Sequence, residues 1–328
     1  KHIHSVLPHR QALHGSHEHR CHKWISFIAV MFRAFYVSTT NTKILTANSV
    51  VMVLTNVVLN YILIFGKFGF PALGIAGAAI ASSISEAVSV LFFVIYTWKK
   101  IDYKKYGLFR FTRVDFRMLG QILSVSIWVM IQHGIAFGGW FIFFIAMEHL
   151  GERPLAITNV VRSISSFLFM FVNAFASTNS SLVSNLIGAG ESDRVLPLCR
   201  RMIGLCYAFV LPIGILIAMF PSTVLRIYTD NPDLIASSIP SLWVMLSSYL
   251  FAVPGFIYFF SVSGTGNTRR ALEIDMASIF VYVLYILYVA VWLRADVAVC
   301  WTTEYVYNIM ILSSFFYLWK GNWRNKKI

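Results

Sequence analysis

The sequence predicts an all-α polytopic membrane protein, and three observations carry that prediction. Only 12% of the 328 residues are charged, against roughly 25% in an average soluble domain. Hydrophobic residues make up 58%, and mean hydropathy is +0.69 over the whole length, more than a single core can hide. Apolar runs of about 20 residues, the length that crosses a hydrocarbon core, recur along the chain. A soluble enzyme, a disordered chain and a disulfide-stapled secreted domain are excluded. Cys21, Cys199, Cys206 and Cys300 show no C-x-x-C spacing and read as small hydrophobes.

Charged residues divide the apolar runs into spans. The first run, 25–38, is short and ends before Lys43, which opens the run 44–65. Lys67 separates that run from 73–97, and a basic stretch, 99–117, separates 73–97 from 119–147. Arg153 precedes 154–187, and Arg194, Arg200 and Arg201 precede 202–220. Arg226 lies before 237–262, Arg269 and Arg270 before 274–293, and Arg294 before 297–319. That makes eight full spans and one partial one. The two longest are expected to tilt or to project beyond the bilayer. Pro212-x-Gly214 and Pro254-Gly255 are expected to bend their spans.

The same charges predict orientation. Lys99 to Arg117 holds seven basic residues, and with Lys43, the loops at 194–201 and 269–270 and the tail that side carries seventeen. The opposite loops carry four: Lys67, Arg153, Arg226 and Arg294. This asymmetry predicts that the 99–117 linker and the C-terminus are cytoplasmic. The formal net charge of +13 is therefore topological, and no nucleic-acid partner is expected. Residues 1–24 stand apart, because seven of the nine histidines lie between His2 and His22. Imidazole and thiol are good ligands for zinc or copper, but the string lacks fixed spacing. It reads as a leader foreign to the rest of the chain.

An internal repeat is visible. Ser38-Thr39-Thr40-Asn41-Thr42-Lys43 and Gly264-Thr265-Gly266-Asn267-Thr268-Arg269 each precede an apolar run, 226 residues apart. Both sit at the same end of an equivalent span, so the repeat is parallel, as in alternating-access carriers. Applying this offset to the second half, which starts near Met118, predicts about 110 residues, enough for three spans, ahead of Lys1.

At "RAFYVSTTNT" (33–42), "NVVLNYILIFG" (56–66) with "FPALGIAGAAIASSISE" (70–86), "LVSNLIGAGE" (182–191) and "SGTGNTR" (263–269), the chain resembles the multidrug and toxic compound extrusion (MATE) family. The resemblance runs from about Ile25 to the C-terminus. It implies a two-lobe bundle of six plus six helices, of which the spans here correspond to the second half of helix 4 through helix 12. On that frame 25–98 is a partial N-lobe (helices 4–6), 118–320 the C-lobe (helices 7–12) and 321–328 a cytoplasmic tail. The implied activity is export of cationic or amphipathic compounds by antiport with Na⁺ or H⁺. The alternative is a lipid-linked oligosaccharide flippase of the same broad superfamily. A multi-pass monomer in the cell (inner) membrane is expected, with the bilayer and small substrates as partners, no cofactor beyond the coupling ion and no enzymatic chemistry. No Walker sequence points to ATP.

Ionisable and amide groups inside spans are costly and are the site candidates. Asn56 and Asn60, four apart on one helical face, offer carbonyl oxygens to Na⁺. In one family branch the matching face carries an Asn and an Asp, and here the second position is Asn60. Another branch uses a helix-7 Glu and a helix-10 Asp, where the best alignment puts Gln132 and Ala252. Candidates for proton coupling are Glu86, in a stripe with Ser82, Ser83 and Ser85, then Arg162, Asp275 and Glu304. Arg162 is expected to pair with a carboxylate, Glu304 before Asp275, as a switch that protonation opens. Gln132 and Asn159 are expected to line a cavity.

Overall fold

The computed structural model describes residues 25–39, 41–101, 115–321 and 323, and those residues are all-helical. The His-rich leader, most of the basic linker and most of the tail lie outside them. The chain divides into two compact units, one ending at Arg113 and the other starting at Val114.

The first unit contains α1 (Ile25–Ser38), α2 (Thr42–Phe65) and α3 (Ile75–Lys100). The α2–α3 hairpin turns on Gly66, whose φ of 64° lies in the left-handed region that side chains disfavour. Gly77 then lets α3 press onto the backbone of Leu63, where a Cβ would lie 2.6 Å from the carbonyl oxygen. Tyr36 anchors α1 against α3. It is fully buried, stacks on Phe93 with centroids 5.5 Å apart, and its hydroxyl lies 2.6 Å from that of Thr97.

The second unit contains α4 (Phe116–Leu150), α5 (Glu152–Gly188), α6 (Val195–Met219), the short α7 (Pro221–Leu225), α8 (Pro232–Gly264) and α9 (Thr268–Ile286). The helix starts are written in the sequence. Asp115 accepts from the N–H groups of Arg117 and Met118, and Asn231 accepts from those of Asp233 and Leu234. At about 1.5 Å per residue, the 37 residues of α5 run roughly 55 Å, well beyond a hydrocarbon core of about 30 Å.

Seven helices among the described residues are long and apolar enough to cross a membrane. The expected last span differs. Residues 297–319 are not one helix but three short ones, α10 (Val297–Cys300), α11 (Thr303–Leu312) and α12 (Ser314–Lys320). The hydroxyls of Thr302 and Thr303 turn back onto the carbonyls of Val299 and Cys300, in competition with the helical ladder at the first break.

α8 is the spine of this unit, flanked by α5, α6, α9 and α11. It passes Pro240 and Pro254 without a break, and α6 likewise passes Pro212. Pro254 has no N–H for the carbonyl of Leu250, and the hydroxyl of Tyr207 on α6 donates to that oxygen instead. Gly264 lets α5 and α8 touch, since a Cβ there would lie 2.6 Å from the carbonyl oxygen of Ser180. The repeat read from the sequence has matching backbone: Asn41 (φ −88°, ψ 65°) precedes α2, and Asn267 (φ −93°, ψ 62°) precedes α9.

Candidate functional site

A cavity of about 560 Å³ lies inside the second unit, walled by α4, α5, α8, α9 and α11. Its volume falls in the range that holds a drug-sized molecule, roughly 300–1,000 Å³. Aromatic rings recur in its wall, among them Trp140, Phe144, Phe169, Phe256 and Phe260. Two carboxylates line it, Asp275 and Glu304.

Asp275 is placed by the period of α9. Thr268, Ala271, Leu272, Asp275, Ser278, Ile279 and Tyr282 form one buried stripe, and the carboxylate sits in the middle of it, 2% exposed. The hydroxyl of Tyr307 donates to its Oδ1 at 3.1 Å, and Gln132 lines the same cavity. A neutral donor thus holds the buried acid, which reduces the cost of an anion in an apolar setting.

Glu304, Tyr307 and Asn308 share one face of α11 at spacings of three and four residues. Glu304 is half-buried, with Tyr249, Tyr282 and Tyr307 as electrostatic neighbours. The hydroxyl of Tyr249 donates to the Ser165 carbonyl at 2.7 Å, which fixes its ring between α8 and α5. The Tyr282 hydroxyl and the Asn308 Oδ1 are buried without a hydrogen-bond partner among the described residues.

Arg162 lines the same cavity, but the expected ion pair does not form. Among the described residues no carboxylate lies within 4.0 Å of its guanidinium. Its Cζ instead lies 4.8 Å from the centroid of the Phe144 ring, a cation–π contact between neighbouring helices. Matching depth along two helices is not enough to bring their side chains together.

The remaining candidates fall elsewhere. Gln132 lines the cavity, and so does Ala252. Asn159 is exposed and is not part of the cavity wall: it shares the α5 face of Arg162 and Ser166 but lies one turn nearer the helix start than the first α5 residue that lines the cavity. Asn56 and Asn60 lie in the first unit. Asn60 donates to Asn56 Oδ1 at 2.9 Å, and Asn56 donates to the Ser82 hydroxyl at 3.4 Å. Glu86 accepts from the hydroxyl of Ser26. No group of three or more His, Cys, Asp or Glu comes together among the described residues. Sequence reasoning missed Tyr249 and Tyr307. For Tyr307 a signal existed, its i+3 position after Glu304.

The MatE family model matches residues 136–291, which hold most of this cavity wall. A probable multidrug resistance protein NorM of Thermotoga maritima is 29% identical over 239 residues, 72% of this chain and 50% of that protein. A second, from Bacillus cereus, is 30% identical over 54% of this chain and 39% of its own length. The chain thus spans about half the length, or less, of these curated relatives. Among solved structures, a mutant of the Vibrio cholerae MATE transporter VcmN superposes over 93% of this chain and 69% of its own, at a TM-score of 0.77 and 17% identity. An outward-facing multidrug resistance MATE transporter of the MOP superfamily gives 0.74 over 84% and 61%. These two share the fold.

Proposed function

We propose that this chain, which is similar to the MATE family of membrane transporters over residues 136–291, exports cationic or amphipathic compounds, driven by protons that bind and leave the second-unit cavity. The observation that carries this reading is the placement of Asp275 and Glu304 in one aromatic-walled cavity of about 560 Å³. Aromatic walls suit flat amphipathic molecules and discriminate weakly among them. The two acids give a compound and a proton something to compete for.

A proton is favoured over Na⁺ by the company of Asp275. Its neighbours there include a tyrosine hydroxyl that donates to it, whereas a hard cation would need several converging oxygen acceptors. The amides of Asn56 and Asn60 are bonded to one another, which weakens the case for Na⁺ in the first unit. In the proposed cycle the acids are neutral when proton-loaded and the compound leaves. Loss of the protons to the inside restores charge, and a cation binds again. Two lobes alternating around the bound molecule would carry it across. The relatives give no support to the lipid-linked oligosaccharide alternative.

Dye efflux from everted membrane vesicles containing the protein tests this. Efflux is expected to follow an imposed pH gradient and to be indifferent to a Na⁺ gradient at fixed pH. Na⁺-driven efflux that persists when the pH gradient is collapsed would overturn proton coupling. Lipid-linked sugar translocation without dye efflux would overturn export as a whole.

A further inference from the structure

Three tyrosines are electrostatic neighbours of Glu304, and two of their hydroxyls are already engaged. Tyr249 donates to the Ser165 carbonyl at 2.7 Å, and Tyr307 donates to Asp275 Oδ1 at 3.1 Å. The third hydroxyl, that of Tyr282, has no hydrogen-bond partner among the described residues, although the residue is only 4% exposed. Its ring packs against those of Phe143 and Tyr307, with centroids 6.3 and 5.8 Å away. Phenylalanine would fill the same space without burying an unmatched hydroxyl, so this one calls for a ligand of its own. Asn308 repeats the observation on the next helix. It lies one turn past Glu304 on α11, is 2% exposed, and its Oδ1 has no partner among the described residues. One orphan is a hydroxyl that can donate, and the other is an oxygen that only accepts. A water molecule matches both, since it accepts from the first and donates to the second.

We infer that Tyr282 and Asn308 hold a water that joins Glu304 to the Asp275–Tyr307 pair, and that a proton passes between the two acids through it. The inference rests on the reading of Asp275 and Glu304 as the proton sites and adds the residues that connect them. Tyr282, Glu304, Tyr307 and Asn308 all line the cavity, which offers the water four partners. It accepts from Tyr282 and from protonated Glu304, and it donates to Asn308 Oδ1 and to Tyr307 Oη. Glu304 gives its proton to the water as the water gives one to Tyr307, and the proton that Tyr307 was donating moves onto Asp275. At each handover one O–H bond breaks and one forms, and the net change is one proton carried from Glu304 to Asp275. Tyr282 and Asn308 are positioning residues, because they hold the water and never keep the proton. Of the other titratable or charged residues on the cavity wall, His133 and Arg162 are exposed, and the bond to Ser165 keeps the Tyr249 hydroxyl out of the path.

Infrared difference spectra between high and low pH test this, taken on the full chain in phosphatidylcholine nanodiscs. They are recorded in ordinary water and in water of the heavy oxygen isotope. Carboxyl C=O bands that vanish in Asp275→Asn and Glu304→Gln identify the loading of the two acids. A water O–H band that shifts with the isotope is expected beside them, and is expected to be lost in Tyr282→Phe and in Asn308→Leu. Both carboxyl bands should remain in Tyr282→Phe, which shows that the variant is folded and still takes up protons. Its pH-driven dye efflux should nevertheless fall about tenfold, for the loss of one hydrogen bond to the transferring water. If Tyr282→Phe loses the carboxyl bands as well, Asn308→Leu decides by the same two readings. A water band that survives both substitutions, carboxyl bands with no isotope-sensitive band beside them, or undiminished efflux overturns the inference and leaves the acids as separate proton sites. If the unaltered protein shows no carboxyl band from either acid, the proton reading of the cavity falls, and the inference with it.

Discussion

In the first unit, polar groups on the spans answer one another along a helix pair. Asn48 donates to Ser89 at 2.8 Å, Asn56 to Ser82 at 3.4 Å and Asn60 to Asn56 at 2.9 Å, all on the α2–α3 hairpin. The second unit has such a link too, Asn179 to Ser261 at 2.7 Å between α5 and α8, but there charged groups also line a cavity. Asp275 is held by Tyr307, while Glu304 and Arg162 line the same space with no ion pair among the described residues. Amide–hydroxyl ladders are a common way to join helices in a bilayer, where each bond is worth roughly 1 kcal/mol. Charges that line a cavity without pairing do little for packing. Under the proposed function, the polar face of the first unit serves helix adhesion and the charged cavity of the second serves coupling.

The strongest way to break that contrast is to remove the acids. Asp275→Asn and Glu304→Gln keep shape and hydrogen-bonding capacity but cannot carry a proton. Groups that transfer protons contribute roughly 10²–10⁴-fold to the steps they serve. Each variant is therefore expected to lose pH-driven dye efflux by about a hundredfold or more in everted vesicles. Tyr307→Phe should cost less. It removes one hydrogen bond to a carboxylate that stays in place, worth about 1.5 kcal/mol at the lower end for charged acceptors, so efflux is expected to fall by about tenfold. If Asp275→Asn transports as well as the unaltered protein, the chemistry does not belong to this cavity.

Much of the architecture was legible beforehand, because a bilayer demands long apolar helices and charges mark where they end. Asp115, Asn231 and Asn267 cap helices that begin ahead of the apolar runs at 119, 237 and 274, because each first turn carries a charged residue. The segmentation of 297–319 was not legible, since hydropathy is the same whether Thr302 and Thr303 bond to solvent or back onto the chain. Asp275 and Glu304 stood out as ionisable residues in apolar runs. Their neighbours did not. Depth along a helix can be counted from its start, but which neighbour it faces depends on how the helices are rotated in the bundle. That is why Arg162 was assigned to Glu304 and lies over Phe144. Asn159 has the right face of α5 and the wrong depth, one turn short of the cavity, where it is exposed.

A smaller effect, on stability, asks whether the two units close their helix contacts in the same way. Gly264 and Gly77 each bring two helices so close that an added Cβ would meet a backbone carbonyl oxygen at 2.6 Å. Backbone cannot rotate aside as a side chain can, so overpacking of about 1–3 kcal/mol is expected for Gly264→Ala and for Gly77→Ala. Thermal melting in detergent should fall in both variants. A drop confined to Gly264→Ala would show that the α2–α3 hairpin yields where the α5–α8 contact does not.

The smallest effect is the most informative about the first unit. Asn56 accepts from Asn60 and donates to Ser82, so Asn56→Ala removes two hydrogen bonds at once. Membrane-embedded bonds of this kind contribute roughly 0.6–2 kcal/mol each, so melting should shift downward slightly. Efflux driven by a pH gradient should stay within about threefold of the unaltered protein, a change under 1 kcal/mol. Loss of efflux with unchanged melting would mean that the amide pair handles the coupling ion. In that case efflux should respond to Na⁺, and the acids of the second unit would serve recognition alone. Loss of melting with unchanged efflux leaves Asn56 as a tie between helices and the proton with Asp275 and Glu304.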